Sequence, residues 1–294
     1  MREHNLRHGS HQVQFMGNDM GYAGPELFDK VTAYVAGRCP EVEPGLRQLY
    51  HASRPTGGVT EALEAYFSKP LAEREQMAAD VQRAYELLEA ECSSDASTEY
   101  VWTLQHARAI AQTGALYSYD FVDPAQLAEA MRYRDRIMAE NTVWWLRQTG
   151  HRILLSAHNG HVGYEPSDPE QYPKLQGQFL REQIGADYVN IGFTFGQGSF
   201  NALDLTDPGE PIRVFSVGPT PAGNNEELLE RVSDQDYYLD LRTAPGRTWL
   251  DEARPTRAIG TSWPEDPKAV NLARSFDILI HLHRVTAADL LAHE

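Results

Sequence analysis

Apolar residues recur along this chain with two periods, and the switch between them predicts its elements. Residues 11–20, HQVQFMGNDM, alternate at Val13, Phe15 and, less cleanly, Gly17, which predicts a strand ending in the turn Gly17-Asn18-Asp19. Pro25 then opens a helix with Leu27, Phe28, Val31, Tyr34 and Val35 on one face, closed by Gly37 and Pro40. From about residue 42 to 118 the pattern is helical throughout, without a turn-punctuated strand. Its longest piece, residues 70–91, is a charged helix with apolar Leu71, Met77, Val81, Tyr85 and Leu88. This span reads as a helical excursion from a sheet.

Residues 123–150 carry the clearest helix signals: Asp123 as cap, Pro124 at the first helical position and Gly150 as a left-handed stop. The apolar stripe through Leu127, Met131, Met138 and Trp145 also catches Arg134 and Asn141. An arginine and an amide on that face join a structural network, line a site or, for Arg134, snorkel outward. The helix feeds into RILLSAHNGH, residues 152–161, where Ile153, Leu154 and Leu155 form a short apolar run of the kind found in buried strands. A proline-containing loop leads to a helix near 175–184, stopped by Gly185. Residues 187–195 alternate Val189, Ile191, Phe193 and Phe195, predicting a half-buried strand, with a hairpin or bulge at 196–200 and Phe200 to Leu205 beyond. Further strands are expected at 212–217, 237–241 and 276–282, with a short helix at 225–232. The expected architecture is therefore α/β: a mixed, mostly parallel sheet flanked by helices, in one domain over residues 1–294 with the excursion at about 42–118.

Composition narrows the partners. The 294 residues hold 42 acids against 26 bases, a formal charge of −16, which repels phosphate backbones and excludes nucleic acid as the expected ligand. No run approaches a membrane span and the N-terminus has no apolar signal core, so no membrane partner is expected. Cys39 and Cys92 are too few for a disulfide scaffold and lack metal-ligand spacing, which fits a cytoplasmic location, with one bridge left open. The opening MREHN reads as the end of a helix running straight into a strand, as though the chain began inside a fold.

The chemistry centres on His158 and His161. No G-x-S-x-G, Walker loop, dinucleotide fingerprint or H-E-x-x-H occurs; Gly196-Gln197-Gly198-Ser199-Phe200 fails the serine elbow at its last position. Two imidazoles three residues apart beyond a strand end leave three readings. They are acid-base or oxyanion-stabilising groups, metal ligands with His281 or His283 as a third, or histidines satisfied by turn hydrogen bonds. The first needs neither metal nor cofactor, and none is expected.

These residues resemble a known family. Ser156-Ala157-His158-Asn159-Gly160-His161-Val162 is similar to the W-A-H-N-x-H motif of the erythromycin esterase family, which includes proteins named for succinoglycan biosynthesis. Residues 134–141, RDRIMAEN, resemble its R-D-x-x-M-A-x-N, and residues 13–20, VQFMGNDM, its strand ending in G-x-D at Asp19. Gly177 with Leu180-Arg181-Glu182 and Gly185, Phe193-Thr194-Phe195-Gly196, Arg257-Ala258-Ile259-Gly260 and Phe276-Asp277 resemble further family positions. The resemblance implies ester or macrolactone hydrolysis by histidine-assisted water attack, with His158 and His161 lining the cleft. Asp19, Arg134, Asn141 and Asn159 are the expected supporting residues. The implied partner is a small-molecule ester or lactone, macrolides among them.

The family's N-terminal G-E-x-x-H motif, which carries its proposed general base, has no match here; Glu3 and His4 are adjacent rather than spaced. The expectation is an N-terminally truncated esterase-like chain, with sheet edge left open to self-association. The alternative is a non-catalytic remnant that binds a ligand or partner.

Overall fold

The computed structural model of the chain describes residues 1–93, 97–244, 247–257 and 259–291; Ala258 of the Arg257–Gly260 match lies outside them. The chain divides into two compact units, residues 1–142 and 143–294.

The first unit is helical: α1 (Arg2–Arg7), α2 (Pro25–Arg38), α3 (Glu43–Tyr50), α4 (Val59–Phe67), α5 (Leu71–Glu91), α6 (Thr98–Tyr117) and most of α7 (Pro124–Thr149). The helical spacing of 42–118 is borne out, and its apolar faces form the core. Phe28, Val31 and Val35 of α2 meet Leu46 of α3, Val81 and Leu88 of α5, and Ile110 of α6. Each such large apolar side chain contributes about 1.5–3 kcal/mol on burial. Helices α5 and α6 approach closely at Gly114, where an added Cβ would meet Val81 Cγ2 at 2.6 Å and the Ala78 backbone at 3.3 Å. Cys39 and Cys92 follow α2 and α5 and are joined by a disulfide, with Cα atoms 6.1 Å apart. The paired cysteines withdraw the argument for a reducing compartment that their small number suggested. Among the described residues no helix is long and apolar enough to cross a membrane.

Helix α7 follows its local signals. Asp123 Oδ1 accepts the amides of Ala125 at 2.9 Å and Gln126 at 3.0 Å, and Gly150 turns left-handed at φ 67°.

The second unit holds α8 (Asn159–Val162), α9 (Gln176–Ile184), α10 (Asn225–Glu230) and α11 (Leu272–Ser275). Its strands are β1 (Ile191–Asp204), β2 (Ile212–Val217), β3 (Tyr237–Asp240), β4 (Arg254–Thr256), β5 (Ser262–Trp263), β6 (Lys268–Val270) and β7 (Ile278–Val285). The main sheet runs β2-β1-β7-β3, with β5 also on β1, while β4 and β6 form a separate ribbon. It is a mixed sheet as expected: β1 pairs parallel with β7 and β5 and antiparallel with β2, and β3 pairs antiparallel with β7. Leu229, Leu241, Leu250, Leu272 and Leu279 form the core of this unit.

Four strand expectations need correction. Residues 11–20 form no strand, and Phe15 is 84% exposed. Their backbone pairs locally instead, with the Asn5 amide bracketing Val13 through two 2.8 Å hydrogen bonds. Residues 152–157 form no strand either: Leu154 is 92% exposed, and only Leu155 packs on the core. An apolar run becomes a strand only where a neighbour completes its ladder, and no described segment does so here. In β1 the burial phase is the reverse of the apolar alternation: Gly192, Thr194 and Gly196 are buried, whereas Phe193 is 53% exposed. Finally, 196–200 is no hairpin. The strand continues through Gly198 at φ 137° and gains β2 as its antiparallel neighbour from that residue onward.

A polar network closes this unit at the N-terminal ends of β1 and β7. Asp277 Oδ2 accepts the Tyr164 hydroxyl at 2.6 Å and the Asn190 amide at 3.1 Å, and Arg181 Nη2 donates to both carboxylate oxygens at 3.0 Å. In return the Asp277 amide donates to Asn190 Oδ1 at 2.6 Å. The Asn190 amide group also donates to the Val162 and Ser275 carbonyls, each at 2.9 Å.

Replacing Asp277 by Ala strands three donors at a buried position. A loss of roughly 2–4 kcal/mol is expected, below the full value for a buried pair because Arg181 reaches solvent. Urea denaturation, comparing the two midpoints, measures it. In the first unit, reducing the Cys39–Cys92 bridge releases a loop of 53 residues' separation. A stability loss of about 2–4 kcal/mol is expected; thermal melts with and without dithiothreitol check it against Cys39→Ser, which should melt identically in both buffers.

Candidate active site

The histidine turn lies in the second unit and is built almost entirely from backbone contacts. His158 precedes α8 with extended dihedrals, and its Nδ1 accepts the Gly160 amide at 3.1 Å. A backbone N–H can only donate, so Nδ1 carries no proton. On the other side of the ring, Nε2 lies 3.2 Å from the Ile259 carbonyl oxygen, which can only accept. Together these contacts define a neutral imidazole with its proton on Nε2.

Asn159 fixes the next position. Its Nδ2 donates to the Phe193 carbonyl at 2.6 Å, and its Oδ1 accepts the Phe193 amide at 3.0 Å. The side chain thus ties the turn to β1 much as a neighbouring strand residue would. His161, one helical turn on, is half-buried with its ring edge-on to Tyr172, centroids 5.9 Å apart. The Val162 carbonyl accepts the Tyr188 hydroxyl at 2.9 Å in addition to the Asn190 amide. Gly177 of α9 lies against the Val162 and Gly163 carbonyls, where an added Cβ would collide with both. The Gly177 match in the sequence thus marks a close approach that only glycine permits.

Arg257, two residues before Ile259 in the sequence, is anchored by contacts of its own. Arg257 Nη1 donates to the Gly196 carbonyl at 2.5 Å, Nη2 donates to the Gly218 carbonyl, and the guanidinium lies over the Phe195 ring, 5.4 Å from its centroid. The Arg257 amide donates to Glu226 Oε1 at 2.9 Å. Burial pushes the Glu226 carboxyl above the usual carboxylate range, against hydrogen bonds that favour its ionised form. Glu226 gave no sequence signal beyond its place in a short helix. The other missed partner, the Ile259 carbonyl, is a backbone atom that no side-chain motif encodes.

Asp19, Arg134 and Asn141 come together in the first unit. Arg134 grips Asp19 with two parallel hydrogen bonds, its Nε 2.9 Å from Oδ1. Asn141 donates to the Asn18 carbonyl at 3.2 Å and to Gln112 Oε1 at 3.1 Å, and accepts from Gln105 at 3.1 Å. Asn18 donates in turn to Thr142 Oγ1 at 3.1 Å. The polar positions on the α7 stripe therefore hold the Asn18-Asp19 segment, which forms no turn; Arg134 is engaged there rather than snorkelling outward.

Among the described residues, no three or more His, Cys, Asp or Glu side chains are arranged to hold a metal ion. His281 and His283, the strand histidines of the metal reading, are hydrogen-bonded to Glu230.

Comparison with known proteins gives this geometry its context. The family model described as erythromycin esterase matches residues 1–285. A curated relative, the type II erythromycin esterase of Escherichia coli, is 24% identical over 132 residues, covering 42% of this chain and 32% of the relative, so the match spans about a third of that protein. A solved Bacillus cereus protein superposes with a TM-score of 0.85 at 24% identity, over 97% of this chain and 70% of its own. A solved succinoglycan biosynthesis protein gives 0.82 at 24% identity, over 97% of this chain and 68% of its own. A mutant of the erythromycin esterase EreC in its open conformation gives 0.74 at 17% identity, over 96% and 71%. These likenesses show a shared fold, and the family match over nearly the whole chain shows more: the chain belongs to the erythromycin esterase family.

Proposed function

We propose that this protein is a hydrolase of small carboxylic esters or lactones, with His158 and His161 as its catalytic residues. The observation that carries this reading is the fixed tautomer of His158. Its Nε2–H is held by a single backbone acceptor, Ile259, and Nδ1 is satisfied by Gly160. A donor so arranged suits an oxyanion: turned from Ile259 to a substrate carbonyl oxygen, it stabilises the charge that develops as water attacks. With both nitrogens engaged, His158 is not the base in this state. That role falls to His161 or to a group supplied by substrate or partner. Asn159 keeps the turn against β1, and Asp19, Arg134 and Asn141 are the supporting residues of the first unit. The macrolactone named for the relatives is one substrate of this class, and the acidic surface tolerates its amino sugar.

A second reading, ligand binding without turnover, draws support from the same engagement of both His158 nitrogens and from the lack of a G-E-x-x-H match. The two separate cleanly. Hydrolysis of p-nitrophenyl acetate and of erythromycin is followed for the protein and for His158→Ala, with folding checked by circular dichroism. The hydrolase reading expects turnover that falls by roughly 100-fold or more in the variant. No turnover by the unsubstituted protein, with calorimetric binding of the macrolide, leaves the binding reading; retained turnover in His158→Ala moves the site elsewhere.

A further inference from the structure

A second group of ionisable side chains lies in the same unit, where α10 covers β1 and β7. Glu230, at the last turn of α10, is shared between two imidazoles: Oε1 is 2.8 Å from His281 Nε2, and Oε2 is 2.8 Å from His283 Nδ1. Alternate residues of a strand share a face, and Thr194 pairs with His281 across the β1–β7 ladder. Thr194 Oγ1 lies 2.9 Å from His281 Nδ1. Gly196, the next residue on that face, leaves the space the Glu230 carboxylate occupies; an added Cβ would collide with it.

The two imidazoles differ in one respect that matters. His281 is 0% exposed and has a partner at each nitrogen, and burial lowers its pKa, keeping it neutral. Its Nε2–H therefore donates to the carboxylate, while Thr194 donates to Nδ1. The His283 side chain is 33% exposed. Its Nδ1–H is committed to Glu230, its backbone amide donates to Asp236 Oδ1 at 2.8 Å, and among the described residues its Nε2 makes no hydrogen bond. A carboxylate on Nδ1–H with an open Nε2 is the arrangement in which an imidazole accepts a proton from a nucleophile.

We propose that His283, positioned by Glu230, is a second proton-transfer centre that activates water against uncharged acyl esters. Water oxygen bonds to the acyl carbon as its proton passes to Nε2. The adduct then breaks its bond to the leaving oxygen, which takes that proton from Nε2, yielding carboxylic acid and alcohol. Glu230 accepts the Nδ1–H bond throughout and steadies the imidazolium. Glu230 and Asp236, the carboxylates beside His283, repel anionic substrates. Thr194 and His281 position the carboxylate.

The centre is tested in the full chain carrying His158→Ala, so that its fate is read separately from that of the site proposed above. The residual hydrolysis of p-nitrophenyl acetate is expected to fall by roughly tenfold or more on adding His283→Gln. Adding Glu230→Gln instead is expected to lower the kcat of that residual reaction by roughly tenfold and leave its KM unchanged, because Nδ1–H loses the carboxylate that orients the ring. The other titratable groups facing the pair, His281 on β7 and Asp236 and Tyr237 at β3, stay in place. A folded His283→Gln variant with a residual rate within about twofold overturns the proposal. If that variant does not fold, carbethoxylation of His283 by diethylpyrocarbonate decides. Fast modification, slowed in Glu230→Gln, supports an activated ring, and resistance to the reagent overturns it.

Discussion

The second unit depends on the reciprocal bond between Asn190 and Asp277. One side chain receives the other residue's amide in each direction, and this ties the start of β1 to the start of β7 before their parallel ladder begins at Ile191 and Ile278. Parallel strands have no tight turn to set their register. Here a pair of side chains sets it. The same two residues reach outward, Asp277 to Tyr164 and Arg181 and Asn190 to the Val162 carbonyl. The end of the histidine turn, α9 and the sheet are thus referred to a single buried point.

Much of the fold was legible in the sequence because its determinants are local. Asp123, Pro124 and Gly150 mark α7 by contacts within a few residues of each end, and the helical spacing of 42–118 survives intact. Strands were read less well because a strand is a statement about a neighbour. Ile153-Leu154-Leu155 has the composition of a strand but no described segment pairs with it. The inverted face of β1 has a sharper cause. Gly192 lies against the Phe276 ring and Gly196 against Glu230, so the small residues face inward where other side chains must fit. Alternation of apolar residues cannot show which face another element will fill.

The candidate site was legible in the same measure. Motif spacing singled out His158, Asn159 and His161, and the α7 stripe singled out Arg134 and Asn141, which hold the segment at Asp19. What the sequence could not show was the protonation state, because that is fixed by two backbone groups, Gly160 N–H and the Ile259 carbonyl. It also could not show that Glu230 faces two histidines about fifty residues away, a juxtaposition made by the packing of α10 on the sheet.

The backbone origin of the His158 contacts has a consequence for how such proteins diverge. A carbonyl oxygen is present whatever residue occupies position 259, so the side chain there can drift while the imidazole keeps its orientation. What must be preserved is the position of the Ile259 carbonyl beside the ring. A substitution at position 259 is therefore expected to leave the imidazole oriented, whereas a change that shifts the backbone there is not.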